Sequence, residues 1–308
     1  MAIPAISAYS MPSISDLPNN KVTWKADPKR SVLLIHDMQE YFLDAYRTGE
    51  SPKVELIENI QFLRNQCKQF GIPVIYTAQP GGQTLQQRGL LQDFWGPGIP
   101  DGPYKKRIVE ELSPDENDIF LTKWRYSAFK KTNLLDILHE HGRDQLIICG
   151  VYAHIGCLLT ACDAFMEGIE PFFVADAVAD FSLDHHKMAV KYASERCAVT
   201  TTIHLLFKEQ KSSQASVKKD CSLTLELVRK QVAELLYESL EGISDYEDLI
   251  HRGLDSVRIM SLVEKWRLIG ADITFARLAE RPTISDWWSL LSSQAQSTMS
   301  QTDYVIKG

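Results

Sequence analysis

Six short apolar runs, separated by longer stretches with helical periodicity, constrain this chain more than any other feature. They are Ser31–Ile35, Val74–Thr77, Ile119–Thr122, Leu146–Cys149, Phe172–Ala175 and Ala198–Thr202. Each is too short for a typical helix and lacks a polar face, as a strand buried on both sides must. Between the first two, Val54, Ile57, Ile60 and Leu63 recur at helical spacing until Gly71-Ile72-Pro73 stops the helix. Further helices are predicted at Asn133–His141, Leu158–Glu167 and Asp184–Ser194. Strands that alternate with helices can pair only in parallel, because each connection crosses the sheet. The expectation is an α/β fold, a parallel sheet with right-handed crossovers and helices on both faces.

The organisation around that core follows from composition. Residues 1–30 are rich in Pro, Ser and Asn and read as an extended arm laid over the surface. The segment from Gly81 to Pro103 reads as a long loop carrying Arg88, Phe94 and Trp95, functional rather than disordered. The large domain spans 1–207. Residues 208–219 are polar and read as a flexible linker. Beyond it, 220–292 forms a small all-α bundle with helices at 222–240, Val257–Arg267 and Thr283–Leu291. The first of these buries Leu225, Val228, Val232, Leu235 and Leu236 on one face. Residues 293–308 read as a loose tail.

Several function classes are excluded at this level. A net charge of −7 with no Lys/Arg cluster disfavours nucleic acid. No apolar run approaches the roughly 20 residues of a membrane span, and the N-terminus does not read as a signal peptide. None of the six cysteines forms a C-x-x-C pair, which reads as a reduced, cytoplasmic protein. No His/Asp cluster has metal-site spacing, so no catalytic metal is expected, and His36 and His154 read as core or hydrogen-bonding residues.

Asp37, Lys123 and Gly156 each follow a separate predicted strand. In an open parallel sheet such ends face one crevice, so a carboxylate, an ammonium and a tight turn should converge there. These residues carry a resemblance. Asp37-Met38-Gln39, Lys123 and the loop from Gly150 to Ala161 are similar to the isochorismatase-like hydrolase superfamily. The resemblance implies a Rossmann-like, isochorismatase-like fold. In amidase members Asp, Lys and Cys form a triad, with Thr-Ala four residues after the Cys. Here Thr160-Ala161 sets the register, so Gly156 holds the nucleophile's place and Cys157 comes one residue late. One residue turns a helix by about 100°, so Cys157 should point away from the crevice.

The resemblance therefore narrows to isochorismatases, which cleave the enolpyruvyl ether of isochorismate. It extends over His36–Phe42, Tyr76–Pro80, Phe94–Gly98 and Lys123–Phe129. It implies Asp37 as general acid, with Lys123 and Gly156 in the catalytic set, and no thiol. Lys123 is expected to pair with the enolpyruvyl carboxylate. Phe42, Gln79, Arg88, Trp95, Tyr126 and Tyr152 are implied as substrate-binding residues, Arg88 taking a carboxylate through its planar fork. Two alternatives stand beside this: a thiol amidase using Cys157, and an inactive carrier scaffold.

The second signal is Arg252-Gly253-Leu254-Asp255-Ser256-Val257. Read locally, it is a helix start with Asp255 or Ser256 as N-cap. On a small helical domain behind a linker, it resembles the attachment site of acyl and peptidyl carriers. That resemblance implies covalent 4′-phosphopantetheine on Ser256. Met260, Phe275 and Ala279 are expected to form an apolar partner-binding patch. Together the two domains are similar to the bifunctional isochorismatase/aryl carrier proteins of catechol siderophore synthesis, over about residues 1–292. Implied partners are a 2,3-dihydroxybenzoate-AMP ligase, a phosphopantetheinyl transferase, a nonribosomal peptide synthetase condensation domain and a second copy of the chain in a homo-oligomer.

Overall fold

A computed structural model describes residues 3–208, 224–236, 238, 242–268, 271 and 273–292. Cys221, the polar stretch 209–219 and the tail 293–308 lie outside the described residues. The chain divides into two compact units, Met1–Lys211 and Ser212–Gly308.

The first unit runs β1 (Ser31–His36), α1 (Glu40–Leu43), α2 (Lys53–Gln69), β2 (Val74–Ala78), α3 (Leu85–Arg88), α4 (Leu91–Trp95) and β3 (Ile119–Thr122). It continues with α5 (Leu134–Glu140), β4 (Gln145–Val151), α6 (Leu158–Met166), β5 (Glu170–Ala179), α7 (Leu183–Arg196) and β6 (Val199–Thr201). The strands form one parallel sheet in the order β3-β2-β1-β4-β5-β6. The chain therefore builds outward from β1 in one direction and then returns to β1's other side. The crevice opens at that reversal, beyond the carboxyl ends of β1 and β4.

Both faces of the sheet are buried, which is why its strands carry no polar alternation. Leu33, Ile35, Ile147, Cys149, Phe172 and Val174 pack into one core. Val32, Leu34, Leu146, Ile148, Phe173 and Ala175 pack into the other. The two central strands approach closely at the crevice. A Cβ on Gly150 would lie 2.2 Å from the His36 carbonyl oxygen, and the residue has φ +113°, so only glycine fits. The arm is laid along the unit: Ile6 is buried and donates its backbone N–H to Ala45 O at 2.7 Å.

Three features differ from the sequence reading. The segment from Gly81 to Pro103 holds two short helices, α3 and α4. The signal was present in Thr84 and Gln87, a capping box in which each side chain bonds the other's backbone. The strands β4 and β5 run longer than their apolar runs: β4 continues through Gly150, which pairs with Val178 past an irregularity in the register, and β5 continues through Asp176.

The third difference lies in the second unit, which has four described helices rather than three: α8 (Leu225–Leu236), α9 (Ser256–Leu268), α10 (Phe275–Glu280) and α11 (residues 284–292). The overlooked α10 is capped by Thr274, whose hydroxyl accepts from Arg277 N. At six residues it is too short to show a periodic apolar face. Leu254, Ile259, Leu262, Trp266, Leu278, Ile284 and Trp287 form the core with Val228 and Val232. Trp266 and Trp287 meet edge to face with centroids 5.7 Å apart.

Candidate active site

The first residue past β1 sets the site. Asp37 has φ +50°, a left-handed conformation uncommon for a residue with a side chain. That turn aims its carboxylate into the crevice. The hydroxyl of Thr77, at the end of β2, donates to Asp37 Oδ1 at 2.7 Å, and Gln79 Nε2 donates to Oδ2 at 3.1 Å. Lys123, the first residue past β3, reaches Oδ2 at 2.9 Å. Both members of this ion pair are almost wholly buried. Burial pushes the Asp37 carboxyl up, but Lys123, His36 and the Thr77 hydroxyl together hold it below its ordinary value. With no substrate bound, Asp37 is a carboxylate.

Lys123 is fully engaged. Besides Asp37, its ammonium donates to Arg125 O at 2.5 Å and Tyr126 O at 3.2 Å. All three of its donors thus have acceptors before any substrate arrives. Arg88 differs. It is 5% exposed, donates Nε to Gly96 O and Nη1 to Gln79 Oε1, and among the described residues has no carboxylate partner. Burial lowers its pKa, as expected of a cation taken out of water without a counter-ion.

The turn Ala153–Cys157 follows β4 as a single wide, π-helical turn that closes the other side of the crevice. Thr160 on α6 holds it: its hydroxyl donates to Gly156 O at 2.7 Å and accepts from Ala128 N at 3.0 Å. Cys157 points into the core beneath α6, fully buried, and burial pushes its thiol well above the usual range. It does not reach the crevice.

These groups line one pocket. Every residue predicted for it from sequence is there: Asp37, Phe42, Gln79, Arg88, Trp95, Lys123, Tyr126, Tyr152 and Gly156. Some play parts other than those expected. Tyr152 donates its hydroxyl to Phe42 O at 2.9 Å, so it offers the pocket mainly a ring face. Trp95 donates to the Tyr126 hydroxyl at 2.6 Å, which fixes both rings on the wall. Sequence reasoning missed Ile3, His36, Tyr41, Leu91 and Phe181, which also line it. Ile3 and Phe181 are far along the chain from the other groups, and no local pattern marks them. Thr77 was missed as a partner of Asp37, although it pairs with His36 across β1 and β2.

One titratable cluster was not legible from spacing. His154, Asp180 and His185 bring ligand atoms within 4.8 Å of one another from three separate segments. Asp180 is already committed as an anchor: Oδ1 accepts from His154 Nδ1 and Phe181 N, and Oδ2 from His154 N. Its role on these contacts is to tie the wide turn to the Phe181 wall.

In the second unit, Asp255 Oδ1 accepts from Arg258 N at 2.9 Å, so Asp255 is the N-cap and Ser256 the first residue of α9. The Ser256 side chain lies outside the described residues. Met260 and Phe275 are exposed, and Ala279 is half-buried. Among the described residues no helix is long and apolar enough to cross a membrane.

Comparison with known proteins agrees with this geometry. The isochorismatase domain family matches residues 31–204. The isochorismatase of Bacillus subtilis (strain 168) is 57% identical over 312 residues, covering 99% of this chain and 100% of that protein. Enterobactin synthase component B of Escherichia coli (strain K12) is 48% identical over 297 residues, covering 96% of this chain and 100% of that protein. Both matches extend through the second unit. Among solved structures, a cysteine hydrolase from Pseudomonas syringae pv. phaseolicola 1448A shares the fold, with TM-score 0.57, 19% identity, and coverage of 64% of this chain and 98% of that one. With a buried Asp–Lys pair at the carboxyl ends of a parallel sheet and relatives alike over nearly its whole length, this chain belongs to the isochorismatase family.

Proposed function

We propose that the first unit hydrolyses the enolpyruvyl ether of isochorismate to pyruvate and 2,3-dihydro-2,3-dihydroxybenzoate, with Asp37 as general acid. The observation that carries this reading is the buried Asp37–Lys123 pair at the floor of a pocket where position 156 has no side chain. A site with an acid, a cation and no accessible thiol suits a reaction that needs a proton and water but no covalent intermediate. The proton goes from Asp37 to the terminal carbon of the enolpyruvyl double bond. Water captures the resulting oxocarbenium ion, and the hemiketal collapses to pyruvate and the alcohol, returning a proton to the site.

Asp37 must gain a proton first. A dianionic substrate brings two carboxylates into a closed pocket beside it, and both added negative charge and desolvation raise its pKa. Binding thus supplies the acid form that the free site lacks. The full engagement of Lys123 favours Arg88 as the group that meets a substrate carboxylate, in place of Lys123. Its guanidinium is buried, unpaired with any described carboxylate, and retains free donors.

The second unit carries 2,3-dihydroxybenzoate as a thioester on 4′-phosphopantetheine attached to Ser256, for a nonribosomal siderophore synthetase. Enterobactin synthase component B, alike across both units, supports this. Exposed Met260 and Phe275 support a contact face for the ligase, transferase and condensation partners. On the first unit, exposed Leu90, Phe94, Leu159 and Met166 border one apolar groove, which supports a homo-oligomer.

The test of the hydrolase is pyruvate release from isochorismate. Asp37→Asn is expected to lower kcat by about 100-fold or more, the usual scale for a lost general acid. Near-normal turnover by that variant excludes Asp37 as the proton donor.

A further inference from the structure

Gly156 does not need to be glycine for its backbone, since it is not among the residues with positive φ. It needs to be glycine because of His36. A Cβ at 156 would stand 2.1 Å from His36 Cε1, 2.8 Å from Nε2 and 3.0 Å from Nδ1. Contacts under 3.0 Å do not occur for real Cβ atoms, so one of the two residues has to move.

The ring is poorly placed to move. His36 is 1% exposed and ends β1, in the centre of the sheet. Its Nδ1 lies 2.8 Å from Val151 O and its Nε2 3.3 Å from Tyr126 O. Burial pushes the imidazole below its ordinary value. Nδ1 is also 3.9 Å from Asp37 Oδ2, and Tyr126 O is shared with the Lys123 ammonium. Displacing the ring therefore either crowds the Asp37–Lys123 pair or breaks the anchor to Val151, next to Tyr152 on the pocket wall.

We propose that His36 is the specificity-determining partner of Gly156: its ring fills the space that a side chain at 156 would take. A nucleophile cannot be restored on that turn by changing position 156 alone, and the site is committed to water-borne hydrolysis by the pair rather than by the glycine. His36 acts here as a positioning residue, through the wide turn and the Tyr126 carbonyl. The inference rests on the reading of the site given above, but its geometry does not depend on which ether is cleaved.

The test is a double-mutant cycle in the full chain with Gly156→Ala and His36→Asn, read by thermal unfolding and by isochorismate kinetics. Asn retains a donor near the place of Nδ1, able to reach Val151 O, and removes Cε1 and Nε2, the two atoms that clash. Gly156→Ala is expected to lower Tm by roughly 4 °C or more and to raise KM about ten-fold, with the smaller change in kcat. Damage that merely unfolds part of the sample lowers apparent kcat and leaves KM alone. The double variant is expected to recover most of the lost Tm and at least about five-fold in KM relative to Gly156→Ala, a coupling of the size seen for residues in contact. A double variant no more stable than Gly156→Ala, or one that fails to fold beside it, overturns the proposal, as does a Gly156→Ala protein indistinguishable from the parent. The Tm arm stands if the substrate is not isochorismate, so failure of the pairing and failure of the assigned reaction give different results.

Discussion

At the residue scale, the molecule places several ionisable groups in surroundings that decide their charge. Asp37 is buried yet ionised because an ammonium, an imidazole and a hydroxyl face it. Asp176, on β5, is the opposite case. It is buried, its Oδ1 accepts one backbone N–H from Ile203 at 2.9 Å, and no described cation pairs with it. Desolvation pushes its carboxyl up to about 6. A carboxyl whose folded pKa is raised stabilises the fold only while protonated, and that stability is lost as pH rises from about 4 through 6. Asp176→Asn keeps an acceptor for Ile203 and removes the charge. It is expected to stabilise the protein by about 2 kcal/mol at pH 8, falling to nothing below about pH 4. Urea unfolding at the two pH values measures this, and an unchanged or lower stability at pH 8 contradicts it.

At the scale of elements, the site depends on connections between neighbours more than on any one helix or strand. The wide turn after β4 is fixed by Thr160 on α6 and Asp180 after β5, and the His36 ring from β1 holds Val151 just before it. Thr160 also joins α6 to the segment after β3, where Lys123 and Tyr126 lie, by accepting from Ala128 N. Thr160→Val preserves the shape and removes both bonds, leaving Ala128 N–H buried without its acceptor. The expected cost is about 1–3 kcal/mol, the price of one unsatisfied buried donor. It should be accompanied by a raised KM, because both sides of the pocket are released together. Chemical denaturation and steady-state kinetics on one preparation check both parts.

At the scale of the whole molecule, two compact units with separate cores make separable activities the natural expectation. A fragment of residues 1–207 is expected to release pyruvate from isochorismate with kcat/KM within about two-fold of the full chain, since the described residues that line the pocket all belong to the first unit. The full chain, incubated with coenzyme A and a phosphopantetheinyl transferase, is expected to gain the mass of one phosphopantetheine group, and Ser256→Ala to gain none. Intact-protein mass spectrometry decides the second point, and a fragment without activity refutes the first.

Much of this was legible in the sequence, for local reasons. Six apolar runs without polar alternation determined a parallel sheet covered on both faces, because that pattern is what double-sided burial requires. The ends of those runs named Asp37 and Lys123, and the Thr160-Ala161 register named Gly156 rather than Cys157. Short elements with weak periodicity, α3, α4 and α10, were not legible, although Thr84 and Thr274, which cap α3 and α10, were there to be read. Tertiary structure alone decided the rest, because the deciding contacts join residues distant along the chain. It brought Ile3 and Phe181 to the pocket, gathered His154, Asp180 and His185, filled all three donors of Lys123 and left Arg88 without a described counter-ion. It also showed that the bare position at 156 is matched by a ring 120 residues earlier. The sequence determined which chemical groups stand at the strand ends; the packing of β1 against the turn after β4 decided which of them have room to act.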